Sequence, residues 1–144
     1  MTRQNRQHTK KKKDYAEAMR YLDNAKEDLQ KAGYDELGFI YNYKDRKYVR
    51  RASGTAYSAV LMAVDIWLGK KGIFPTKKDR KSIDFYRNHL RTLDMKMLNN
   101  LNAAYDSFHL GGYYDGNLSR GNIADGFEAA NSIVKKIHPY PEAL

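Results

Sequence analysis

The sequence predicts an all-α protein, folded as an up-and-down bundle of four to five helices. Apolar side chains recur at spacings of three and four residues through most of the chain, the pattern of amphipathic helices. Glycine and proline gather in a few short stretches that separate these segments. The length of 144 residues fits one domain, with no internal repeat. The short connections favour helices that pack against their neighbours in order.

Composition divides the chain into a tail, a bundle and a short end. Residues 1–13 hold six bases and no acid, whereas the rest of the chain has 20 bases against 17 acids. We expect residues 1–13 to be a flexible, solvated tail, 14–138 to be the bundle domain, and 139–144 to be a C-terminal tail. Alternatively, the basic tail attracts nucleic acid or an acidic partner without sequence preference.

Several classes of protein are excluded by composition. The chain has no cysteine, which removes disulfides, cysteine zinc sites and thiol nucleophiles. The N-terminus lacks the apolar region of a secretory signal. The longest apolar run, Ala59 to Val64, is far shorter than the roughly 20 residues that span a bilayer. We therefore expect a cytoplasmic protein without a membrane partner.

The first helix is predicted to begin at Asp14, where Glu17 three residues later completes a capping signature. Gly33 is placed to end it. The connection over residues 33–47 is rich in tyrosine followed by bases. Such a mixture can form a stacking platform for single-stranded nucleic acid. The alternative is a loop packed by its own rings, or a short strand-like turn.

The second helix is predicted from about Tyr48 to Leu68. Its residues are apolar nearly all round, and only a narrow arc through Arg51, Gly54, Ser58 and Asp65 is polar. A helix of this kind is buried, so we expect it at the centre of the bundle. Small residues along it let neighbouring helices approach closely.

Residues 69–75 interrupt the chain, and Thr76 with Asp79 forms another capping signature before helix three. We expect a break near residues 91–94 between helices three and four, although one continuous helix to His109 is the alternative. Asn122 is predicted to cap helix five.

The stretch HLGGYYDG, residues 109–116, lies before helix five. Gly111 and Gly112 fit a helix C-terminus that requires positive φ, and residues 115–116 resemble a turn. Tyr113 and Tyr114 are expected to pin this loop to the bundle, with one ring inward and one outward.

The stretch AYSAVLMAVDIWLGKKG, residues 56–72, resembles the second-helix signature of the HEPN superfamily (higher eukaryotes and prokaryotes nucleotide-binding domains). The resemblance covers most of residues 14–138, and the overall pattern resembles a Bacteroidales-type family of unknown function within or near HEPN. It implies a HEPN-like bundle, usually a homodimer, often encoded beside a nucleotidyltransferase. Many members are ribonucleases of toxin–antitoxin or defence systems.

The resemblance implies that such ribonucleases use an arginine and a histidine separated by four to six residues. Histidine transfers a proton and arginine stabilises charge on the phosphate. Here only Arg3 and His8 have that spacing, and they lie in the tail. The positions upstream of His109 hold Asn102, Ala103 and Ala104. We therefore expect no catalytic pair in the bundle.

Metal and cofactor sites are not expected either. No two histidines stand four residues apart, and no phosphate-binding loop motif is present. Three functions remain: a non-catalytic HEPN-like binding module for RNA or a nucleotidyltransferase-type partner protein, a divergent metal-independent ribonuclease, or a small interaction protein with no nucleic-acid role. We favour the first. The candidate binding residues are His109, Tyr113, Tyr114, Asp115, Tyr41, Tyr43, Arg46, Lys47, Lys10, Lys11, Lys12 and Lys13.

Overall fold

The structure is a computed structural model that describes residues 14–35 and 42–139. Of the candidate binding residues, Lys10 to Lys13 and Tyr41 lie outside the described residues. The elements in chain order are α1 (Tyr15–Ala32), α2 (Arg46–Lys70), a 3-10 turn (Asp79–Lys81), α3 (Ile83–Leu93), α4 (Met95–Ala104), a π-helix (Tyr105–Tyr114) and α5 (Arg120–Lys135). Within the described ranges, extended pairing is limited to isolated bridges such as Tyr34 with Tyr43. The prediction of an all-α bundle is confirmed.

Helix α1 begins and ends as predicted. The Asp14 carboxylate accepts a hydrogen bond from the Glu17 backbone N–H at 3.2 Å, which satisfies one of the unpaired donors of the first turn. Gly33 ends the helix with a φ of 64°, a conformation that costs glycine nothing. The apolar stripe through Ala18 and Leu22 is fully buried against the rest of the bundle.

Helix α2 is the central helix, as its apolar pattern predicted. It packs against α1, α5 and the π-helix. It begins at Arg46, two residues earlier than expected, because Asp45 caps it by accepting from the Lys47 N–H at 3.0 Å. The fully buried face carries mostly small and β-branched side chains, which allow the neighbouring helices to lie close.

The break between α3 and α4 is confirmed at Asp94, whose carboxylate accepts from the Met97 N–H at 3.0 Å. Thr76 and Asp79 form both reciprocal hydrogen bonds of the predicted capping signature, but they do so at the entry to the 3-10 turn, and Ser82 caps α3. The capping prediction for helix five is wrong. Ser119, not Asn122, caps α5.

The prediction for residues 109–116 is also wrong in part. Instead of ending in a glycine cap, the helix widens after Ala104 into the π-helix, and the Asp115 N–H donates to the Leu110 carbonyl at 2.9 Å. Gly111 and Gly112 do not have positive φ, whereas Gly116 does, at 61°. We refer to Tyr105–Tyr114 as the π-segment.

The close approach of the π-segment to α2 explains the glycine at position 112. A Cβ at Gly112 would lie 1.8 Å from the Oγ of Ser53 and 2.5 Å from its Cβ. The backbone of the π-segment therefore packs directly against α2, with no room for a side chain. Gly126 leaves room on α5 for the Phe108 ring, because a Cβ there would lie 2.7 Å from it. Tyr113 and Tyr114 are 48% and 61% exposed, so neither is buried, although the Tyr113 ring faces α2 at Gly54. One of the two rings was expected to point inward.

Candidate functional site

The π-segment arranges its rings in a row along one side. The ring centroids of Tyr105 and His109 lie 5.0 Å apart, and the His109 and Tyr113 rings are nearly parallel, 12° and 6.3 Å apart. Tyr114 meets the His109 ring edge-on at 4.9 Å, and Tyr57 of α2 joins from below at 4.9 Å. We call these five residues the aromatic column. A row of rings at helical spacing presents faces on which flat ligands can stack.

The outer end of the aromatic column is open to solvent, and Tyr113 lies over the bare backbone of Gly54. A Cβ on Gly54 would come within 3.3 Å of the Tyr113 ring. The inner end is buried: Tyr57 is only 9% exposed. The column therefore runs from the core of the bundle to its surface.

A cleft of about 700 Å³ opens beside the column, between α2, the π-segment and the stretch from the 3-10 turn into α3. Three bases line it: Arg80, Lys81 and Arg87. The Arg87 guanidinium lies 5.0 Å from the centre of the Tyr105 ring, a cation–π distance, and its Nε donates to the Asn102 side chain at 2.8 Å. The cleft therefore combines positive charge with aromatic faces.

Hydrogen bonds to Asp65 hold the 3-10 turn and α3, which form one wall of the cleft, to α2. The hydroxyl of Tyr86 in α3 donates to one oxygen of Asp65 at 2.8 Å, and Arg80 donates to the other at 3.1 Å. Because Asp65 receives both, it fixes the 3-10 turn and α3 against the central helix. Asp65 thus positions a base of the cleft, a role the sequence did not indicate.

The protonation of the site follows from burial. Burial raises the pKa of Tyr57 well above its usual range, with the Tyr105 ring beside it adding to the effect. Burial also raises the pKa of Tyr86, and its hydrogen bond to Asp65 acts in the same direction. Burial lowers the pKa of His109, so its imidazole is neutral at pH 7. Tyr57 and His109 are therefore uncharged at neutral pH, and the positive charge of the cleft comes from the three bases.

The structure separates the predicted candidates into two groups. His109, Tyr113 and Tyr114 stand together in the column, and Asp115 follows at its end, exposed. Arg46 reaches the same end, since its Nε donates to the Gly116 carbonyl at 3.2 Å.

Two further candidates belong to another surface. Tyr43 packs against Tyr34 at 5.8 Å, and burial raises its pKa. Arg120 stands 4.0 Å over the Tyr34 ring. Lys47 lies over the Tyr48 ring at 4.8 Å. Neither Tyr43 nor Lys47 lines the cleft.

The bases of the cleft and the inner rings Tyr57 and Tyr105 were not predicted from the sequence. The positions upstream of His109 in its own helix hold no arginine, whereas Arg87 enters the cleft from α3. The signal for the column was present: Tyr105, His109 and Tyr113 are spaced by four residues. No local signal links Arg80 or Arg87 to that row, because the folding of α3 against α2 brings them there.

Within residues 14–35 and 42–139, no group of three or more histidine, aspartate or glutamate side chains is arranged to hold a metal ion. None of the helices found in those ranges has the length and apolar character needed to cross a membrane.

Comparisons with known proteins place the chain in a family. A solved protein of unknown function from Dyadobacter fermentans is similar in structure, with a TM-score of 0.70 and 36% sequence identity. The similarity covers 85% of this chain and 91% of that one. Comparison with curated proteins gives no significant match. The family match does not confirm the resemblance to HEPN. Its model covers residues 13–139, and the chain belongs to the family described as Domain of unknown function (DUF5618).

Proposed function

We propose that the chain is a non-catalytic binding module for single-stranded RNA, and that the aromatic column and the bases of the cleft form its binding site. The observation that carries this proposal is the near-parallel pair of His109 and Tyr113 beside Arg87. Rings that stack on bases, next to cations that contact phosphates, are the elements of single-strand binding. The HEPN resemblance of residues 56–72 supports RNA as the nucleic acid.

A single strand fits this surface better than a duplex. Stacking on Tyr113 or Tyr114 requires a base whose face is exposed, and the bases of a duplex are stacked on one another. Neutral His109 and protonated Tyr57 also add no negative charge that would repel phosphates. From the HEPN resemblance, we further propose that the chain binds a partner protein of a toxin–antitoxin or defence system and that it forms a homodimer.

The test is RNA binding by a full-length chain whose tail has been neutralised. Replacing the six bases of residues 1–13 with glutamine removes the generic attraction of the tail. Those six charges alone predict a log–log salt slope of about −4, from roughly −0.7 per neutralised phosphate. Binding that survives the substitution is attributed to the bundle. Fluorescence anisotropy with a labelled single-stranded RNA measures it.

The column is then tested by substitution. Tyr113→Ala combined with Tyr114→Ala removes two exposed rings, and we expect Kd to rise about tenfold or more, since each base stacked on a ring is worth ~1–3 kcal/mol. Phe74→Ala is the matched control, because Phe74 is 75% exposed and does not line the cleft. If the folded double variant binds RNA as tightly as the control, the column is not the site.

A second candidate function, metal-independent cleavage of RNA, is supported by one observation. His109 and Arg87 both contact the ring of Tyr105, each about 5.0 Å from it. A neutral imidazole can accept a proton and an arginine can stabilise the charge on a phosphate. Incubation of end-labelled RNA with the protein in EDTA distinguishes the two functions. Cleavage that disappears in His109→Gln would replace the binding proposal.

A further inference from the structure

We propose that the bound strand continues beyond the cleft, along the exposed arc of α2 to Arg50 and Arg51, so that the site takes about four or five nucleotides. This inference rests on the proposed function and adds the length and path of the ligand. It concerns a second surface, beside Arg50 and Arg51, that is not part of the aromatic column.

The path is defined by two adjoining cavities. A groove of about 470 Å³ lies on the α1 side of α2, and it shares Gly54, Ser58 and Tyr113 with the cleft. Small side chains line the shared stretch of α2. Tyr113 stands at the junction beside the bare backbone of Gly54, where an added Cβ would meet its ring at 3.3 Å. A chain-like ligand can therefore pass from one cavity into the other over the face of α2, beside an exposed ring.

Positive charge stands at both ends of this path. Arg50 and Arg51 line the groove, and the bases Arg80, Lys81 and Arg87 line the cleft. Three carboxylates face these bases: Asp28 pairs with Arg51 at 3.4 Å, Asp65 with Arg80 at 3.1 Å, and Asp84 with Arg87 at 3.7 Å. The bases outnumber the acids, so the whole path keeps a positive field that suits a polyanion.

The distance between the ends sets the length of the strand. From Arg50 to Leu61, which lines the cleft, α2 rises by about 16 Å at 1.5 Å per residue. A stacked strand advances roughly 3.4 Å per nucleotide, so about five nucleotides span the path. A mononucleotide can reach one end only, and it would leave the arginines of the other end without a phosphate.

The experiment measures Kd for the full-length, tail-neutralised chain with oligouridylates of one, two, four, six and eight nucleotides and with a duplex hairpin. We expect Kd to fall steeply up to four or five nucleotides and then to level off. Arg50→Gln with Arg51→Gln should weaken the hexamer about tenfold and leave the dinucleotide unchanged, whereas Arg87→Gln should weaken both. Gly54→Leu should block the junction and press on the Tyr113 ring, so it should weaken the hexamer more than the dinucleotide. Lys96→Gln with Lys136→Gln removes two exposed bases outside both cavities and is the charge-matched control for the arginine pair.

The outcomes separate this inference from the proposed function. If uridine monophosphate binds as tightly as the hexamer, and Arg50→Gln with Arg51→Gln behaves like the control, the path is wrong while binding in the cleft stands. If the hairpin binds as tightly as the single strands, the path is also wrong. If no RNA binds the tail-neutralised chain, both the path and the proposed function are overturned.

Discussion

Replacing Gly112 with alanine should destabilise the bundle, because the π-segment and α2 meet there without room for a side chain. The new Cβ would lie 1.8 Å from the Oγ of Ser53 and 2.5 Å from its Cβ, and both residues are buried. Rotation of the Ser53 side chain can move Oγ but not Cβ, so the two backbones must separate. Overpacking of this kind costs ~1–3 kcal/mol. The greater helix propensity of alanine offsets about 1 kcal/mol.

With the overpacking cost at its upper end, the expected loss in the free energy of unfolding is about 2 kcal/mol. For a domain of this size that corresponds to a fall in Tm of roughly 8 °C. Urea unfolding followed by helical circular dichroism measures the difference. Ser53→Gly removes both clashing atoms, so the Gly112→Ala loss should be smaller in that background, and a double-mutant cycle gives the coupling.

Gly121→Ala is the matched control for this prediction. Gly121 lies in α5 and is exposed, and a Cβ there meets only the Ser119 hydroxyl at 3.6 Å, an ordinary contact. We expect this substitution to stabilise the protein by up to about 1 kcal/mol through helix propensity alone. If Gly112→Ala behaves like Gly121→Ala, the close packing of the π-segment against α2 is refuted.

Three further predictions concern the same region. Tyr86→Phe removes the hydrogen bond to Asp65 and should cost ~1 kcal/mol of unfolding free energy, at the low end because the carboxylate is 22% exposed; an unchanged urea midpoint would contradict it. Gly126→Ala places a Cβ 2.7 Å from the buried ring of Phe108 and should cost ~1–3 kcal/mol, measured in the same way; a gain in stability would refute it. The pKa of His109 should lie below 6.5 in an NMR titration. Because the unfolded chain then binds the proton more readily, stability should fall as pH drops below about 6.5, and less so in His109→Gln; a His109 pKa above 6.5 would contradict this.

Much of the fold could be predicted because the signals for it are local. The carboxylate of Asp14 and the glycine at position 33 act on the helix turn beside them, and the structure has both ends of α1 there. Asp94 likewise interrupts the chain between α3 and α4 by capping the helix that follows. The buried face of α2 follows from its apolar pattern. In each case the residues that decide the structure lie within a turn or two of each other.

The π-segment could not be predicted in this way. A Gly-Gly pair after a helical stretch indicates a helix end when only its neighbours in sequence are considered. The residue that requires Gly112 is Ser53, which comes from a distant part of the chain. Local preference was overridden by the packing of two helices.

In the candidate site, too, residues close together in the sequence were predicted, and residues from distant parts of the chain were not. Sequence clustering pointed to His109, Tyr113 and Tyr114, because they share one short segment, and the structure does group them. The bases of the cleft were not predicted, since Arg80 and Arg87 approach the column only after the 3-10 turn and α3 dock on α2. A site whose residues lie in one segment can be predicted from the sequence, whereas a site assembled from several segments cannot.

The π-segment also has a consequence for the order of folding. Wide helical turns that contain two adjacent glycines gain little from local hydrogen bonds, and glycine has the most backbone freedom to lose. The segment is therefore held in shape by α2 and α5, which must already be in place. Its amide protons should exchange with solvent sooner than those of α2, and the column of rings should form last and be lost first. The chain would then display its aromatic surface only as long as the whole bundle is assembled.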